Sequence, residues 1–386
     1  MTYRRIALLR LLFQLFFLVF IAAVAVRGRL GQSFDTCESI CPFGGAEGMI
    51  YFLTHRQYLC VLSYYNVALF IALLLLALAA GRLFCSYLCP LGLLYEKMNA
   101  LRLRWKIKAK LPPPGVDRAL QALRYLVIAV ILYATWKIGD LVFRGYDPFF
   151  ALFSLHGHGI AWTSYLVLGL TVAGALFIPM AWCRYLCPLG GAMDLPALVK
   201  LIRVTRDRGS CTGCGACDRT CPMAIPVSRR DEVREVNCTL CLQCASHCPE
   251  KDALQVRGPV KRPAAWVLPV LVLAFLVLSH LIAPLFRVPT LKSTFKPARP
   301  AAAPLKETVF TVEGLTCRGK SLMLSENLRY LPGMYEMETY ASERKLIVRY
   351  DPGLLGEQDI RECIEGTMRD PETGEEAAPF RVLRAR

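Results

Sequence analysis

The feature that most constrains this chain is a cysteine pattern that occurs twice between residues 211 and 249. Each copy has the form C-x-x-C-x-x-C-x-x-x-C-P. Three thiolates at such short spacing wrap one [4Fe–4S] cube, and the fourth cysteine of each run ligates the other cube. Two full repeats, each with a proline after its fourth cysteine, favour clusters over a zinc site. The predicted ligand sets are Cys211, Cys214, Cys217 and Cys248 for one cluster, and Cys238, Cys241, Cys244 and Cys221 for the other.

The segment Ser210–Gln255 resembles the bacterial two-cluster ferredoxins in this repeated pattern. The resemblance implies one-electron transfer at low potential between two closely spaced cubes. Gly213 and Gly215 would let the first loop fold closely around its cluster, because glycine adopts backbone conformations that other residues avoid.

The chain as a whole is too apolar for a soluble ferredoxin, since 55% of its 386 residues are hydrophobic. A helix needs about 20 apolar residues to cross a bilayer. Arg124 and Lys137 fall near the ends of one apolar stretch, where we expect their charges to reach the interfaces. Five stretches meet the required length or come close to it, which are Ile6–Val26, Val61–Ala80, Ala119–Ile138, Ala161–Trp182 and Ala264–Leu285. We interpret the first as an anchor rather than a signal peptide, because it is long and more spans follow it.

The distribution of basic residues predicts the orientation of these spans. The net charge is +16, but no nucleic-acid motif accompanies it, so we expect no nucleic-acid partner. Lysine and arginine are abundant in residues 81–118, whereas the loop from Gly139 to Ile160 contains Arg144 alone. The positive-inside rule therefore places the N-terminus and the ferredoxin-like insert in the cytoplasm. Five spans then place the C-terminus in the periplasm, across a bacterial inner membrane.

A second internal repeat accompanies the spans. Phe84–Gly92 reads FCSYLCPLG and Trp182–Gly190 reads WCRYLCPLG, so the two segments differ at their first and third residues. Cysteines four apart lie on one face of a helix, and we expect the proline to end the preceding turn. A pseudo-symmetric pair would then bring four thiols together, to hold another cluster or metal or to act as a dithiol relay. The alternative is that they pack as small apolar side chains. The four are Cys85, Cys89, Cys183 and Cys187.

A third C-x-x-x-C-P motif contains Cys37 and Cys41. The predicted topology places this pair in the periplasm or at the outer membrane interface, opposite the other two motifs. It could serve as an entry or exit point for electrons, or form a structural disulfide, which that compartment permits. A regular helix holds cysteines at this spacing slightly too far apart for an unstrained bridge, and the sequence leaves both alternatives open.

C-x-x-x-C-P motifs at membrane ends, followed by a two-cluster ferredoxin segment, resemble the NapH-type membrane polyferredoxins over Arg4–Pro284. Similar architecture occurs in the nitrous-oxide-reductase regulator and in a copper-oxidase assembly protein. The resemblance implies a quinol-dehydrogenase-like electron-transfer subunit. Its electrons would pass between quinol or a cytoplasmic donor, the clusters and a membrane or periplasmic partner, with quinone as a further cofactor.

The last part of the chain predicts a separate small domain of β-α-β-β-α-β order, which is a ferredoxin-like α+β sandwich. The segment Gly314–Ser321 resembles the metal loop of heavy-metal-associated domains. That family has a second cysteine where this chain has Lys320, and one thiolate is a poor Cu(I) site. Cys317 would therefore bind metal together with a partner's ligand, or the domain would act as a docking module.

These observations predict a membrane all-α protein of about five transmembrane helices, with a cytoplasmic two-cluster ferredoxin insert and a C-terminal ferredoxin-like α+β domain. Electron transfer is the leading functional hypothesis, and a copper or mercury reductase and a redox-sensing regulator are the alternatives. The predicted divisions are a four-span membrane domain at 1–205, the insert at 206–258, the fifth helix at 264–285, a Pro-rich linker at 286–306 and the periplasmic heavy-metal-associated-like domain at 307–386.

Overall fold

The computed structural model describes residues 3–29, 41–55, 64–138, 141–153, 162–250, 252–258, 265–286, 289–295, 304–315, 318–369 and 376–385. Its contacts divide the chain into two units, each described by itself below. The first unit consists of Met1–Phe43, Ala68–Ala134 and Val142–Ala283, and the second of Gly44–Val67, Thr135–Leu141 and Pro284–Arg386.

Helices predominate before residue 290 and strands after it. In chain order the helices are α1 (Tyr3–Arg29), α2 (Pro42–His55), α3 (Tyr64–Ala80), α4 (Leu83–Tyr87), α5 (Pro90–Arg104), α6 (Pro114–Ile138), α7 (Pro148–Phe153), α8 (Trp162–Ala175), α9 (Pro188–Ala197), α10 (Ala216–Thr220), α11 (Gln243–Ser246), α12 (Val267–Ile282), α13 (Arg318–Leu328) and α14 (Glu357–Glu365). The strands are β1 (Arg203–Arg206), β2 (Leu254–Arg257), β3 (Leu291–Thr294), β4 (Lys306–Glu313), β5 (Met334–Tyr340), β6 (Lys345–Tyr350), β7 (Met368–Arg369), β8 (Glu376–Ala377) and β9 (Arg381–Ala385).

Three helical segments in the described part of the chain are long and apolar enough to cross a membrane. They are Arg5–Arg27, Pro114–Ile138 and Val267–Phe286. Two of the five predicted spans correspond to shorter apolar helices, Tyr64–Ala80 and Trp162–Ala175. The structure therefore contains apolar helices at all five predicted positions, and three of them have the length of a full span.

The fourth predicted span is wrong at its C-terminal end. The sequence predicts a helix through Trp182, whereas α8 ends at Ala175 and turns follow it. Pro179 disfavours helical backbone in the residue before it, and Gly174 weakens the last turn. A short π-helical turn, Trp182–Leu186, then carries the second C-x-x-x-C-P motif.

The ferredoxin-like insert is closed at its two ends by an antiparallel pair of strands. β1 pairs with β2 from Arg203↔Arg257 to Arg206↔Leu254. Val204 and Val256 are buried on one face of this pair. Between the strands, α10 packs against α11, so the two cysteine repeats lie side by side.

The C-terminal part has the β-α-β-β-α-β order that the sequence predicts, formed by β4, α13, β5, β6, α14 and β9. Within the described residues its sheet has the order β3-β5-β6-β4-β9, in which β3 is an added edge strand. Phe310, Leu324 and Ile360 come from a strand and both helices and are fully buried together. Apolar residues that alternate along β4 and β6 thus form one core with the inner faces of the helices.

Candidate iron–sulfur sites

The two cysteine loops of the insert share an unusual backbone. Gly213 and Gly215 have φ of +73° and +67°, as the sequence predicts for a loop that folds tightly. At the matching positions of the second repeat, Leu240 and Leu242 have φ of +50° and +59°. Both leucines are 1% exposed. The second loop therefore accepts a backbone conformation that disfavours a side chain, because those side chains pack into the interior.

Four cysteines line one buried cavity in the insert, which we call the cluster cavity. Cys221, Cys238, Cys241 and Cys244 lie on its wall, together with Leu240, and its volume is about 370 Å³. The structure thus brings Cys221 to the three cysteines of the second repeat. Within the described residues, no three His, Cys, Asp or Glu side chains converge closely enough for a single metal ion. A [4Fe–4S] cube requires four thiolates, each on a different iron, and these four cysteines supply that number.

Burial controls the ionisation of these thiols. It raises the pKa of Cys221 to about 12 and that of Cys241 to about 11, and raises the pKa of Cys244 well above its usual value. Neighbouring thiolates would repel one another in the same cavity and raise the pKa of Cys244 further. Thiolates in this cavity therefore require bound cations, and cluster iron would provide that positive charge.

The other predicted ligand set lies nearer the surface. Cys214 is exposed, whereas Cys211, Cys217 and Cys248 are partly buried. The Gly213 N–H and the Arg206 side chain lower the pKa of Cys211. Burial and the adjacent Asp218 raise the pKa of Cys217 to about 11. Cys248 follows α11, and α11 packs against α10, the helix that contains Cys217.

The C-x-x-x-C-P motifs agree with one part of the prediction and contradict another. The preceding helical turn ends before each proline, as predicted, and Pro90 and Pro188 then begin α5 and α9. Cys89 and Cys187 precede these helices as N-caps, with extended backbone. Proline suits the first helical position because its missing N–H has no helical partner there. The first cysteine of each motif lies in the preceding helical turn, so the two cysteines of a pair belong to different elements.

The two motifs meet in the first unit, as their pseudo-symmetry predicts. The four thiols are close enough to interact electrostatically, Cys85 with Cys89 and Cys187, and Cys183 with the other three. Arg82 fixes the junction, because it donates to the Cys183 carbonyl at 3.0 Å and to Asp194 at 2.6 Å. The turn of the first motif is tight, since a Cβ on Gly92 would lie 2.0 Å from the Cys85 carbonyl oxygen.

The placement of the third motif corrects a prediction. Cys41 lines the same cavity as Cys89 and Cys187, so it does not lie apart from them on the opposite side. The reason is that Pro42 begins α2 directly and Phe43 packs edge-on against Phe143, which turns the chain into the interior. We call this space, of about 560 Å³, the C-x-x-x-C-P cavity; aromatic and apolar side chains and Asp147 complete its wall.

The insert and the C-x-x-x-C-P motifs contact each other at equivalent positions. Ser86 donates a hydrogen bond to the Thr239 carbonyl at 2.6 Å, between two cysteines of the second repeat. Arg184, at the same position of the other motif, donates to the Met223 carbonyl just after Cys221. Both hydrogen bonds therefore attach a C-x-x-x-C-P motif to a loop that lines the cluster cavity.

Sequence reasoning did not identify the buried ion pairs that support this arrangement. Arg10 of α1 pairs with Glu96 of α5 at 2.5 Å, and Gln243 of the insert donates to the same carboxylate. Arg124, which we expected to reach an interface, is 2% exposed and pairs with Asp194 at 2.9 Å. The sequence does contain an indication, because a charge inside an apolar helix usually has a buried partner. Cys37 and Cys317 lie outside the described residues.

Comparisons with known families agree with both kinds of site. The 4Fe-4S binding domain family matches residues 10–57, 62–108 and 160–205, and each segment contains one C-x-x-x-C-P motif. The 4Fe-4S dicluster domain family matches residues 203–261, which include both ferredoxin repeats. No solved structure matches the chain. Apolar helices joined to these domains define an iron–sulfur electron-transport protein associated with a membrane.

Several curated proteins are similar to this chain. An uncharacterized protein of Methanocaldococcus jannaschii, MJ0750, is 33% identical over 198 residues, 51% of this chain and 80% of the relative. The ferredoxin-type protein NapH of Escherichia coli is 28% identical over 184 residues, 46% of this chain and 62% of NapH. The regulatory protein NosR of Pseudomonas aeruginosa is 31% identical over 173 residues, 44% of this chain and 24% of NosR. The chain belongs to the family of NapH-type polyferredoxins.

Proposed function

We propose that this protein passes electrons between quinol, or a cytoplasmic donor, and a redox partner in the membrane or periplasm. The observation that supports it most directly is the pair of equivalent hydrogen bonds from Ser86 and Arg184 to the loops of the cluster cavity. They hold the insert against both C-x-x-x-C-P motifs. An electron on the buried cluster would therefore be close to the cysteines of those motifs.

The proposed ligands are the two sets that the cysteine spacing predicts. A [4Fe–4S] cluster, when bound, takes up and releases one electron at a time. The protein contributes the thiolates and excludes water, since Met223, Leu240 and Leu242 are each 1% exposed around the cluster cavity. Cys214 of the first set is exposed, whereas all four cysteines of the second set are partly buried. This difference makes the first cluster the one that meets a soluble donor.

The C-x-x-x-C-P cavity is the proposed point at which quinol reacts. Phe17, Phe43 and Trp182 provide apolar walls for a ring, and the buried Asp147 provides a carboxylate for a released proton. Oxidation of one quinol would release two electrons and two protons. The two clusters, when bound, would supply the two one-electron acceptors, and the two protons would leave in turn by way of Asp147. A further cluster on the C-x-x-x-C-P cysteines is the competing occupant of the same space.

Iron and acid-labile sulfide in anaerobically purified protein distinguish these occupants. About eight irons per chain would mean that only the two ferredoxin cubes are present, which leaves the cavity to quinol. About twelve would place a third cube on the C-x-x-x-C-P cysteines. Protein kept strictly anaerobic that contains no iron would contradict the proposal itself.

Quinol oxidation is tested by EPR after reduced menaquinone or ubiquinone analogues are added to the oxidised protein. We expect signals of reduced [4Fe–4S] clusters, and we expect Cys187→Ser to slow their appearance by an order of magnitude or more. Cys363→Ser is the matched control, because Cys363 packs beside the core of the second unit. Equal rates in both variants would argue against the cavity as the site of reaction.

The fold of the C-terminal domain supports a second candidate, reduction or handling of copper or mercury. In the sequence, Cys317 falls between the residues of β4 and those of α13, as the metal loop does in the carrier domains that this segment resembles. We expect Cu(I) binding by the anaerobic protein to weaken in Cys317→Ser and to persist in Cys363→Ser. Metal-independent electron transfer, with no Cu(I) bound to the wild type, would remove this candidate.

A further inference from the structure

Two buried hydrogen-bond donors next to the cluster cavity have no partner among the residues that the structure describes. The Tyr87 side chain is 0% exposed, and its hydroxyl bonds to nothing in the described part of the chain. The Nε of Arg10 is likewise buried and unpartnered there. An unsatisfied buried polar group costs about 1–3 kcal/mol. Donors of this kind in a well-packed interior indicate an acceptor that the polypeptide does not supply.

Both donors lie near the same cysteine. Tyr87 interacts electrostatically with Arg10 and with Cys241, and Arg10 also interacts with Cys241. The preceding residue, Ser86, donates to the Thr239 carbonyl in the loop that ends at Cys241. Tyr87 thus extends from the first C-x-x-x-C-P motif toward the wall of the cluster cavity.

The second motif provides an internal comparison. Tyr185 occupies the position equivalent to Tyr87, and its hydroxyl donates to Asp117 at 2.6 Å. A tyrosine at this position of the motif can therefore have a hydrogen-bond partner within the protein. The unpartnered hydroxyl belongs to the motif that lies against the second cysteine repeat.

We propose that Tyr87 donates a hydrogen bond to the cluster held by Cys221, Cys238, Cys241 and Cys244, and that this bond raises the reduction potential of that cluster. The acceptor is the Cys241 sulfur or an adjacent sulfide. Reduction adds one negative charge to the cluster, so a donated hydrogen bond stabilises the reduced form more than the oxidised form. Arg10 acts on Cys241 in the same direction, and its ion-pair partner Glu96 acts in the opposite direction. This inference depends on the proposed cluster ligands.

The test is an EPR-monitored redox titration of full-length protein purified anaerobically in detergent, with Tyr87→Phe compared with Tyr185→Phe. Phenylalanine keeps the ring and its contact with Phe13, so Tyr87→Phe removes only the hydroxyl. At a fixed ambient potential we expect the reduced-to-oxidised ratio of one cluster to fall by about three- to tenfold, or about 30–60 mV for one electron. The other cluster in Tyr87→Phe, and both clusters in Tyr185→Phe, should keep the wild-type potential.

Two results would overturn the inference while leaving the proposed clusters intact. One is full iron and sulfide in Tyr87→Phe with unchanged potentials, as expected if a buried water satisfies Tyr87, Arg10 and the unpartnered Gln14 oxygen. The other is an equal shift in Tyr185→Phe. If Tyr87→Phe loses iron, proton ENDOR of the reduced wild-type protein decides whether Tyr87 donates a hydrogen bond to the cluster. A strongly coupled proton that exchanges in D₂O supports the hydrogen bond, and its absence contradicts it. Wild-type protein without iron would instead contradict the proposed function.

Discussion

Leu240 and Leu242 occupy positions where the first cysteine repeat has Gly213 and Gly215, and all four residues have positive φ. A left-handed backbone costs a residue with a side chain about 1–2 kcal/mol. Complete burial of a leucine contributes about 1.5–3 kcal/mol. Packing of the leucine side chains therefore offsets the backbone strain in the second loop. The first loop is more exposed, so a side chain there would gain no packing, and glycine occupies both positions.

This balance predicts an unusual order of stabilities at position 240. Leu240→Ala loses packing and keeps the strain, so we expect a loss of about 2–4 kcal/mol. Leu240→Gly loses slightly more packing but relieves the strain, and should be at least as stable as Leu240→Ala. Thermal unfolding followed by cluster absorbance measures this order. Leu324 is buried within α13. There we expect the opposite order, with Leu324→Gly less stable than Leu324→Ala by about 1 kcal/mol. The same order at both positions would contradict the argument.

Gly92 allows the tight turn of the first C-x-x-x-C-P motif. A Cβ there would lie 2.0 Å from the Cys85 carbonyl oxygen, so Gly92→Ala must displace the turn. We expect a loss of about 1–3 kcal/mol in the free energy of unfolding, measured by thermal denaturation in detergent. Gly169 of α8 has nothing within 4 Å of its Cβ position. Gly169→Ala should therefore be neutral or slightly stabilising, and equal losses in both variants would contradict this role for Gly92.

At the scale of elements, the chain uses one device three times. Pro42, Pro90 and Pro188 each begin a helix directly after a cysteine, and the three cysteines line one cavity. The repeated motif predicts that Cys85, Cys89, Cys183 and Cys187 meet. It could not predict that Cys41 lies beside them. Counting spans assigns each loop to one side of the membrane, and it cannot show that a helix after a loop folds back into the interior. The tertiary partners of Arg10 and Arg124 were equally hidden, since α5 and α9 supply them from distant parts of the sequence.

The C-terminal fold was more predictable, because alternation along β6 and helical spacing in α13 are local patterns. The sequence did not predict the added edge strand β3, because Leu291–Thr294 falls in a Pro-rich segment that we interpret as a linker. Cross-strand charges supplement its pairing with β5. Lys292 lies 2.7 Å from both Glu336 and Glu338.

These charges predict that β3 loosens at acid pH. Hydrogen bonding to Lys292 lowers the pKa of Glu336 below its usual value of 4.5. Its contribution to stability is therefore present above pH 4.5 and lost as pH falls through the lowered pKa. Lys292, whose pKa is raised to about 12 by the same partners, adds no change in this range. Hydrogen exchange of the full chain, corrected for intrinsic rates, should show faster exchange in β3 at pH 3.5 than at pH 6. The buried β4 is the internal control, and Glu336→Gln should remove the difference.

At the scale of the whole molecule, two membrane topologies agree on where the insert and the C-terminal domain lie. If five helices cross, or if only the three long ones do, an N-terminus in the cytoplasm puts the insert in the cytoplasm and the C-terminus outside. The two topologies differ in the loops before and after α6. Five crossings put the basic segment 105–113 inside and Phe143–Gly145 outside, and three crossings reverse both.

Fusions of alkaline phosphatase therefore distinguish the topologies, because this enzyme needs disulfides that form outside the cytoplasm. We expect low phosphatase activity for a fusion inserted after Lys108 and high activity for a fusion inserted after Gly145. After correction for expression, the two activities should differ at least tenfold. The basic segment supplies the reason, since Lys106, Lys108 and Lys110 would oppose export. A fusion at the C-terminus should be active under both topologies and serves as the positive control, and one within the insert should be inactive. High activity after Lys108 with low activity after Gly145 would leave only the three long helices as spans, and α3 and α8 would then pack without crossing.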